Sequence, residues 1–276
     1  MSTTIATESA NSKQTVLITG ASSGLGAEMA RRMVTLGWRV FGTSRKPQAT
    51  QDGIEWVAMD VCDDASVESA LESVYNQTDH LDGLVCNAGW GIYGPVEETS
   101  LDRARAQFET NFFGVLRVLT PVLARMRERN SGRILLVGSL SGRAPIPFQA
   151  HYSASKAAIE SLAFALANEI QPYDVHVSLI EPGDINTAFN DVMDWGERPA
   201  DSPYAERVAR SEKAIRESLP KSPGPEVVAE AVAHALTARK PKLRYAVGRE
   251  ARLVGIGQRL LSDRLTLKTI RDHFGI

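Results

Sequence analysis

The chain has 276 residues, 43% hydrophobic and 23% charged, enough for one large α/β domain or two small ones with a sizeable core. Its 31 basic and 33 acidic residues leave a formal net charge of -2, so no global field draws it to nucleic acid or to an anionic membrane. Only two cysteines occur, Cys62 and Cys86, each beside an apolar run; this favours buried thiols over a disulfide framework and makes the cytoplasm the expected compartment.

Residues 1–13, rich in Ser, Thr and Ala, lack a basic n-region and an apolar h-region and read as a flexible extension rather than a signal peptide. A β-branched run at Thr15–Thr19, a helical pattern at Gly24–Gly37 and an apolar run at Arg39–Thr43 form a strand, helix, strand unit. The alternation continues with a strand at Ile54–Met59, a helix at Asp64–Gln77 and a strand at Gly83–Cys86. A long helix is predicted over Leu101–Arg129, with Pro121 marking a kink or boundary. Next come a strand at Arg133–Gly138, a helix at Tyr152–Ile170 and a strand at Val175–Ile180, whose continuous apolar run suits a parallel strand covered on both faces. Residues 186–224 lose the pattern, with four prolines among charged residues, and read as a lid or binding loop. A helix at Glu226–Arg239 and a strand near Leu243–Val247 complete a domain over 14–248, and 249–276 reads as an amphipathic C-terminal extension of it. No stretch approaches the roughly 18 apolar residues of a membrane span, and no metal-ligand cluster is visible.

The first strand runs into TGASSGLG, where Gly20, Gly24 and Gly26 precede a helix. Glycines there permit a tight turn and let backbone N–H groups approach a phosphate at a helix N-terminus. The second strand is followed by Thr43, Ser44, Arg45 and Lys46 rather than by the acid that holds a ribose 2′-hydroxyl in many NAD sites. A guanidinium and a hydroxyl match a 2′-phosphate instead, so NADP(H) is expected in preference to NAD.

Tyr152 and Lys156 stand four apart in a helical run and share a face. An ammonium beside a phenol favours the ionised form and makes proton exchange with an alcohol or carbonyl oxygen feasible. Ser139 lies thirteen residues upstream of Tyr152 at a strand end, with Ser141 as a rival in GSLSG.

Together these segments resemble the short-chain dehydrogenase/reductase family in its single-domain form, over roughly Thr15–Gly248. TGASSGLG looks like the family's cofactor loop, and Asp60-Val61 like its adenine-side pair. Asn87-Ala88-Gly89 looks like its NAG motif, and Glu181-Pro182-Gly183 like the Pro-Gly step after its sixth strand. The resemblance implies a Rossmann-type doubly wound parallel sheet, single domain, of about seven strands with helices on both faces. It implies a catalytic tetrad of Asn111, Ser139, Tyr152 and Lys156. Tyr152 would serve as general acid or base and Ser139 would bind the substrate oxygen. Lys156 would lower the tyrosine pKa and bind the nicotinamide ribose, and Asn111 would maintain a bend in the long helix. Ser22, Ser23, Leu25, Ile185 and Thr187 join the cofactor set on the same ground, Thr187 at the carboxamide. His151 is expected to be an exposed helix-start residue without a role.

LVCNAGWGIYGPVE, VHVSLIEPGDINTAF and PKLRYAVG look closest to the branch containing 17β-hydroxysteroid dehydrogenase type 1 and retinol dehydrogenases. The expected reaction interconverts a secondary alcohol and a ketone on a small hydrophobic substrate; a non-catalytic NADP(H)-sensing protein on the same fold is the alternative. Trp90, Phe148, Phe189, Met193 and Trp195 are the candidate pocket residues beside Ser139, with ordinary core or lid packing an equal account of each. The C-terminal stretch can close the pocket, enter a subunit interface, touch a membrane surface or simply pack. A homodimer or homotetramer is the expected assembly.

Overall fold

Apolar side chains alternate along each strand, and the alternation sorts them onto two faces of one sheet. The computed structural model of the chain describes residues 13–46, 52–187, 193–196, 199, 201–248, 254 and 261–276. The strands are β1 (Thr15–Ile18), β2 (Arg39–Ser44), β3 (Ile54–Ala58), β4 (Gly83–Cys86), β5 (Gly132–Val137), β6 (Val175–Pro182) and β7 (Arg244–Val247). They form one seven-stranded parallel sheet in the order β3-β2-β1-β4-β5-β6-β7.

Leu17, Leu84, Ile134 and Leu136 project to one face. There they meet α2 (Asp64–Tyr75), α4 (Gly114–Arg129) and α5 (Ala150–Glu169) through Leu71, Val118 and Ile159. Val16, Ile18, Val85 and Leu135 project to the other, against α1 (Gly24–Thr35) and α7 (Glu226–Thr237) through Met29, Met33, Val232 and Leu236. The predicted Rossmann-type doubly wound sheet is therefore present, with helices on both faces. The chain order reverses between β1 and β4, and in such sheets the crevice beyond the carboxyl strand ends at that point is where ligands bind.

Three sequence expectations need correction. The helix predicted over Leu101–Arg129 is two helices, α3 (Leu101–Phe108) and α4, joined by a π-helical turn at Glu109–Phe113. Pro121 does not break it; that residue sits inside α4. Residues 186–224 are not irregular throughout, because α6 (Ala205–Ser218) occupies much of them. Among the described C-terminal residues, α8 (Asp263–Phe274) turns Thr266, Ile270 and Phe274 inward at four-residue spacing, each half-buried. No helix among the described residues is long and apolar enough to cross a membrane.

Candidate active site

The carboxyl ends of the strands open onto one cleft of about 1120 Å3. Gly20 and Gly24 take φ of +64° and +52°, left-handed conformations that glycine adopts freely. A Cβ at Gly26 would lie 2.6 Å from Asn87 Nδ2 and collide with the Gly20 carbonyl, so turn and helix meet backbone to backbone. Ser23 opens the 12-residue α1 without a side-chain cap, and Ser22, Ser23, Gly24 and Leu25 line the cleft at that helix N-terminus. Thr19, which the sequence reading missed, holds the loop to β4. Its Oγ1 accepts from Asn87 N at 2.9 Å and Ala88 N at 3.1 Å. Asn87 Nδ2 returns donations to the Thr19 and Gly20 carbonyls at 2.9 and 3.1 Å.

Ser44 and Arg45 line the wall after β2, with Asp60 and Val61 after β3. Asp60 shapes its own turn by accepting from Cys62 N at 2.9 Å. Pro182, Gly183, Ile185 and Thr187 line the opposite side, following β6. The cofactor-side residues drawn from the sequence, from Gly20 to Thr187, thus meet on the walls of one cleft.

At the far end, Ser139 and Tyr152 face the cleft and are hydrogen-bonded to each other. Ser141 is buried, does not line the cleft, and donates from Oγ to Ser139 Oγ at 3.0 Å. Lys156 also lines the cleft; its Nζ donates to the Val137 carbonyl at 2.8 Å and stands 5.8 Å from the Tyr152 ring centroid. Asn111 does not reach the cleft. Within the π turn, its Oδ1 accepts from Trp90 N at 3.0 Å, and its Nδ2 donates to Trp90 O at 2.9 Å and Ser155 Oγ at 3.0 Å. Ser155 Oγ donates in turn to the Tyr152 carbonyl at 2.7 Å, so Asn111 braces the Trp90 segment against α5. Gly89 fits between these parts: a Cβ there would lie 3.1 Å from Asn111 Oδ1 and 3.7 Å from Lys156 Nζ. Ser155 was not singled out in the sequence, although it lies three residues after Tyr152 on the same helix.

Burial dominates the electrostatics of the pair. Burial pushes the Tyr152 phenol up to about 12, against a smaller downward pull from the Ser139 hydrogen bond. Burial also lowers the Lys156 ammonium to about 8. Burial is the largest influence on both groups, and the phenol holds its proton at neutral pH. His151 is half-buried rather than exposed, and burial, then Arg103, lower its pKa; it does not line the cleft.

On the substrate side, Trp90 and Met193 line the cleft, and Phe148 and Trp195 do not. Phe148, at φ +63°, joins Trp195 around the buried Tyr93, with ring centroids 6.2 and 4.8 Å from it. These two residues form a layer behind the wall instead of the wall itself. Phe189 lies outside the described residues. The segment around residue 194 is tied to the loop after β4: Asp194 N donates to Gly91 O at 2.9 Å and Tyr93 N to Asp194 O at 2.8 Å. Arg103 Nε donates to Asp194 Oδ2 at 2.9 Å, and the ion pair holds that carboxyl below the usual range against the upward push of burial. Ser202 Oγ donates to Glu98 at 2.5 Å, closing a further tie. Ile146, Gln149, Ile215, Leu219 and Phe274 also line the cleft and were not anticipated; the last three come from α6, the turn after it and α8.

A doubly wound sheet with a glycine-walled cleft and a Ser-Tyr-Lys end defines the class, and comparison with known proteins agrees. The family model for short chain dehydrogenase matches residues 14–196. The chain is 36% identical over 236 residues to a 3-ketodihydrosphingosine reductase of Bacteroides thetaiotaomicron, covering 85% of this chain and 88% of the relative. It is 36% identical over 254 residues to 17-beta-hydroxysteroid dehydrogenase type 1 of Homo sapiens, covering 83% and 76%. A short-chain dehydrogenase from Streptomyces avermitilis superposes with a TM-score of 0.78 at 31% identity, covering 97% and 96%. A serine dehydrogenase complexed with NADP+ does so at 0.72 and 28%, covering 84% and 93%. A 3-ketoacyl-(acyl-carrier-protein) reductase from Brucella melitensis complexed with NADH does so at 0.69 and 26%, covering 82% and 91%. The chain belongs to the short-chain dehydrogenase family and is an oxidoreductase of that family.

Proposed function

We propose that the protein interconverts a secondary alcohol and a ketone on a hydrophobic substrate, using NADP(H), with Tyr152 as the proton donor and acceptor. The observation that carries the reading is the Ser139–Tyr152 hydrogen bond, made at a cleft that Lys156 shares and that continues to the glycine turn. The residues fit a dinucleotide. Gly20 and Gly26 let the turn pack backbone to backbone where a Cβ would collide, the uncapped start of α1 offers N–H groups to a pyrophosphate, and Ser44 with Arg45 suits a 2′-phosphate.

NADPH, when bound, supplies the hydride. The protein's own task is the proton and the orientation. In reduction the phenol of Tyr152, kept protonated by burial, donates to the carbonyl oxygen while the Ser139 hydroxyl hydrogen-bonds that oxygen as charge develops on it. Lys156, charged below about 8, balances the phenolate left behind and, lining the same cleft, would hold the ribose hydroxyls of the cofactor. Asn111 holds Trp90 and α5 in register and thereby positions Tyr152 and Lys156.

Replacing Tyr152 with Phe removes the transferable proton, so turnover should fall about 100-fold to 10,000-fold while NADPH binding, read by fluorescence, survives. A folded Tyr152→Phe protein with full activity would sink the assignment. NADPH binding without oxidation by any carbonyl, in the unaltered protein, would instead favour a cofactor sensor. For cofactor choice, Arg45→Ala should weaken NADPH about 10-fold to 100-fold more than NADH, the value of a charge-assisted hydrogen bond. An equal loss for both removes the 2′-phosphate role.

A further inference from the structure

Among the described residues two charged side chains are buried, Lys156 and Glu181, and the proposed chemistry uses only the first. Glu181 stands beside Pro182 at the end of β6, is 0% exposed and does not line the cleft. Arg143, at the end of the turn that follows Ser139, meets it as a fork: Nε donates to Oε1 at 2.8 Å and Nη2 to Oε2. From the other side Arg244 of β7 donates through Nη1 to Glu181 Oε1 and through Nη2 to Glu160 of α5. Glu160 lies one helical turn beyond Lys156 and two beyond Tyr152. A chain of four alternating charges thus runs from the Ser139 turn through β6 and β7 to the helix that carries Tyr152.

Stability does not account for such a chain. Taking a carboxylate out of water costs about as much as its pairing returns, and apolar residues of similar volume often hold a core as well or better. What an apolar contact lacks is direction, whereas a bidentate guanidinium–carboxylate pair fixes both the distance and the angle between the segments it joins. Here those segments are β6 and the turn that carries Ser139. The turn is already held elsewhere by backbone: Gly138 N donates to Ile180 O at 2.8 Å, and a Cβ at Gly142 would lie 3.0 Å from the Lys156 carbonyl carbon and 3.1 Å from Ala157 N. Arg143 supplies the tie at its far end. We propose that Glu181 and Arg143 are positioning residues, whose bidentate pair holds the Ser139 hydroxyl in register with Tyr152 for the reaction. The proposal rests on the ketone/alcohol reading above and adds to that site the two residues that aim it. The aim matters because a displacement of about 1 Å in a reacting group costs about 100-fold in rate.

The test is a double-mutant cycle on kcat, NADPH oxidation being followed in the full-length protein with long-chain 2-alkanones and alicyclic ketones. Arg143→Lys keeps the charge and loses the fork, and Glu181→Gln keeps the shape and loses the charge. Each should lower kcat about tenfold to a hundredfold and leave NADPH affinity as it is in the unaltered protein. In a Ser139→Ala background the same substitutions should have no further effect, because the group they act through is gone, whereas a purely structural pair would multiply the two losses. Hydrogen exchange reads the turn without substrate. The amides of Gly142, Arg143 and Ala144, which donate to the Ser139 and Leu140 carbonyls, should exchange faster in Arg143→Lys while those of α1 keep their rates. A melting curve identifies a variant that has failed to fold, and Arg143→Lys, the milder change, decides if Glu181→Gln does. Unchanged kcat in a folded Arg143→Lys overturns the proposal, as do multiplied losses in the Ser139→Ala background or exchange that rises equally in α1. Turnover of no ketone or alcohol by the unaltered protein would instead remove the reading of the reaction and the proposal with it.

Discussion

At one end of the cleft the walls are backbone, and at the other they are side chains delivered from distant segments. The glycine end is made by a single turn, Gly20 to Gly26, locked to β4 by Thr19 and Asn87 across contacts too close for any Cβ. The aromatic end is assembled from the loop after β4, the start of α5, the segment around Asp194, α6 and α8, held by an ion pair, two backbone bonds and a ring cluster. Backbone contacts tolerate no substitution at their glycines, whereas side-chain ties can be exchanged one at a time. The first arrangement suits a ligand of constant shape and the second a substrate that differs between relatives.

The contrast is sharpest for Gly26→Val. The new side chain would enter the space of Asn87 Nδ2 and the Gly20 carbonyl, so the loop must shift. Overpacking of this kind costs about 1–3 kcal/mol, and cofactor affinity should drop by more than about tenfold, read by calorimetry beside a melting curve. Unchanged affinity would mean that the backbone-to-backbone contact is not needed for binding.

A pH titration probes the junction of the two ends. Lys156 carries its charge below about 8 and loses it above, so the ammonium available to balance a Tyr152 phenolate declines as pH rises through that value. The reduction rate under saturating cofactor should therefore fall up to about tenfold per pH unit on the alkaline side. Lys156→Arg, whose charge persists, should lose this limb even if its rate is lower throughout. A limb that stays at the same pH in the variant would assign it to another group.

The smallest effect belongs to the side-chain ties. Arg103→Ala releases Asp194 from a half-exposed ion pair worth about 0.2–1 kcal/mol, so KM for an apolar ketone should rise about twofold to fivefold. Cofactor affinity should not follow it, since Arg103 touches nothing at the glycine end. Parallel losses in both would erase the distinction between the two ends.

Much of this was legible in the chain because the signals were local. Strand and helix alternation from Thr15 to Val247 followed from apolar periodicity. The cofactor-side candidates came from short motifs at strand ends, which a parallel sheet necessarily gathers along one edge. Asn111 could be singled out, but not its mode of action, because the π turn that holds it has no composition of its own and Pro121, the evident breaker, does not break the helix. α6 stayed hidden because few of its residues are apolar: only Val208 and Ser211 are buried, and prolines crowd its flanks.

The sequence by itself determined the order of elements, the glycine turn and the Tyr152–Lys156 spacing, since each depends on residues within a few positions of one another. Only the tertiary structure decided which residues face the cleft. It turned Phe148 and Trp195 into a layer around Tyr93 and brought Gln149, Ile215 and Phe274 to the wall. Its burial also raises the Tyr152 phenol and lowers the Lys156 ammonium. Burial and the direction of a side chain depend on what packs against it from far along the chain, and local pattern does not carry that information.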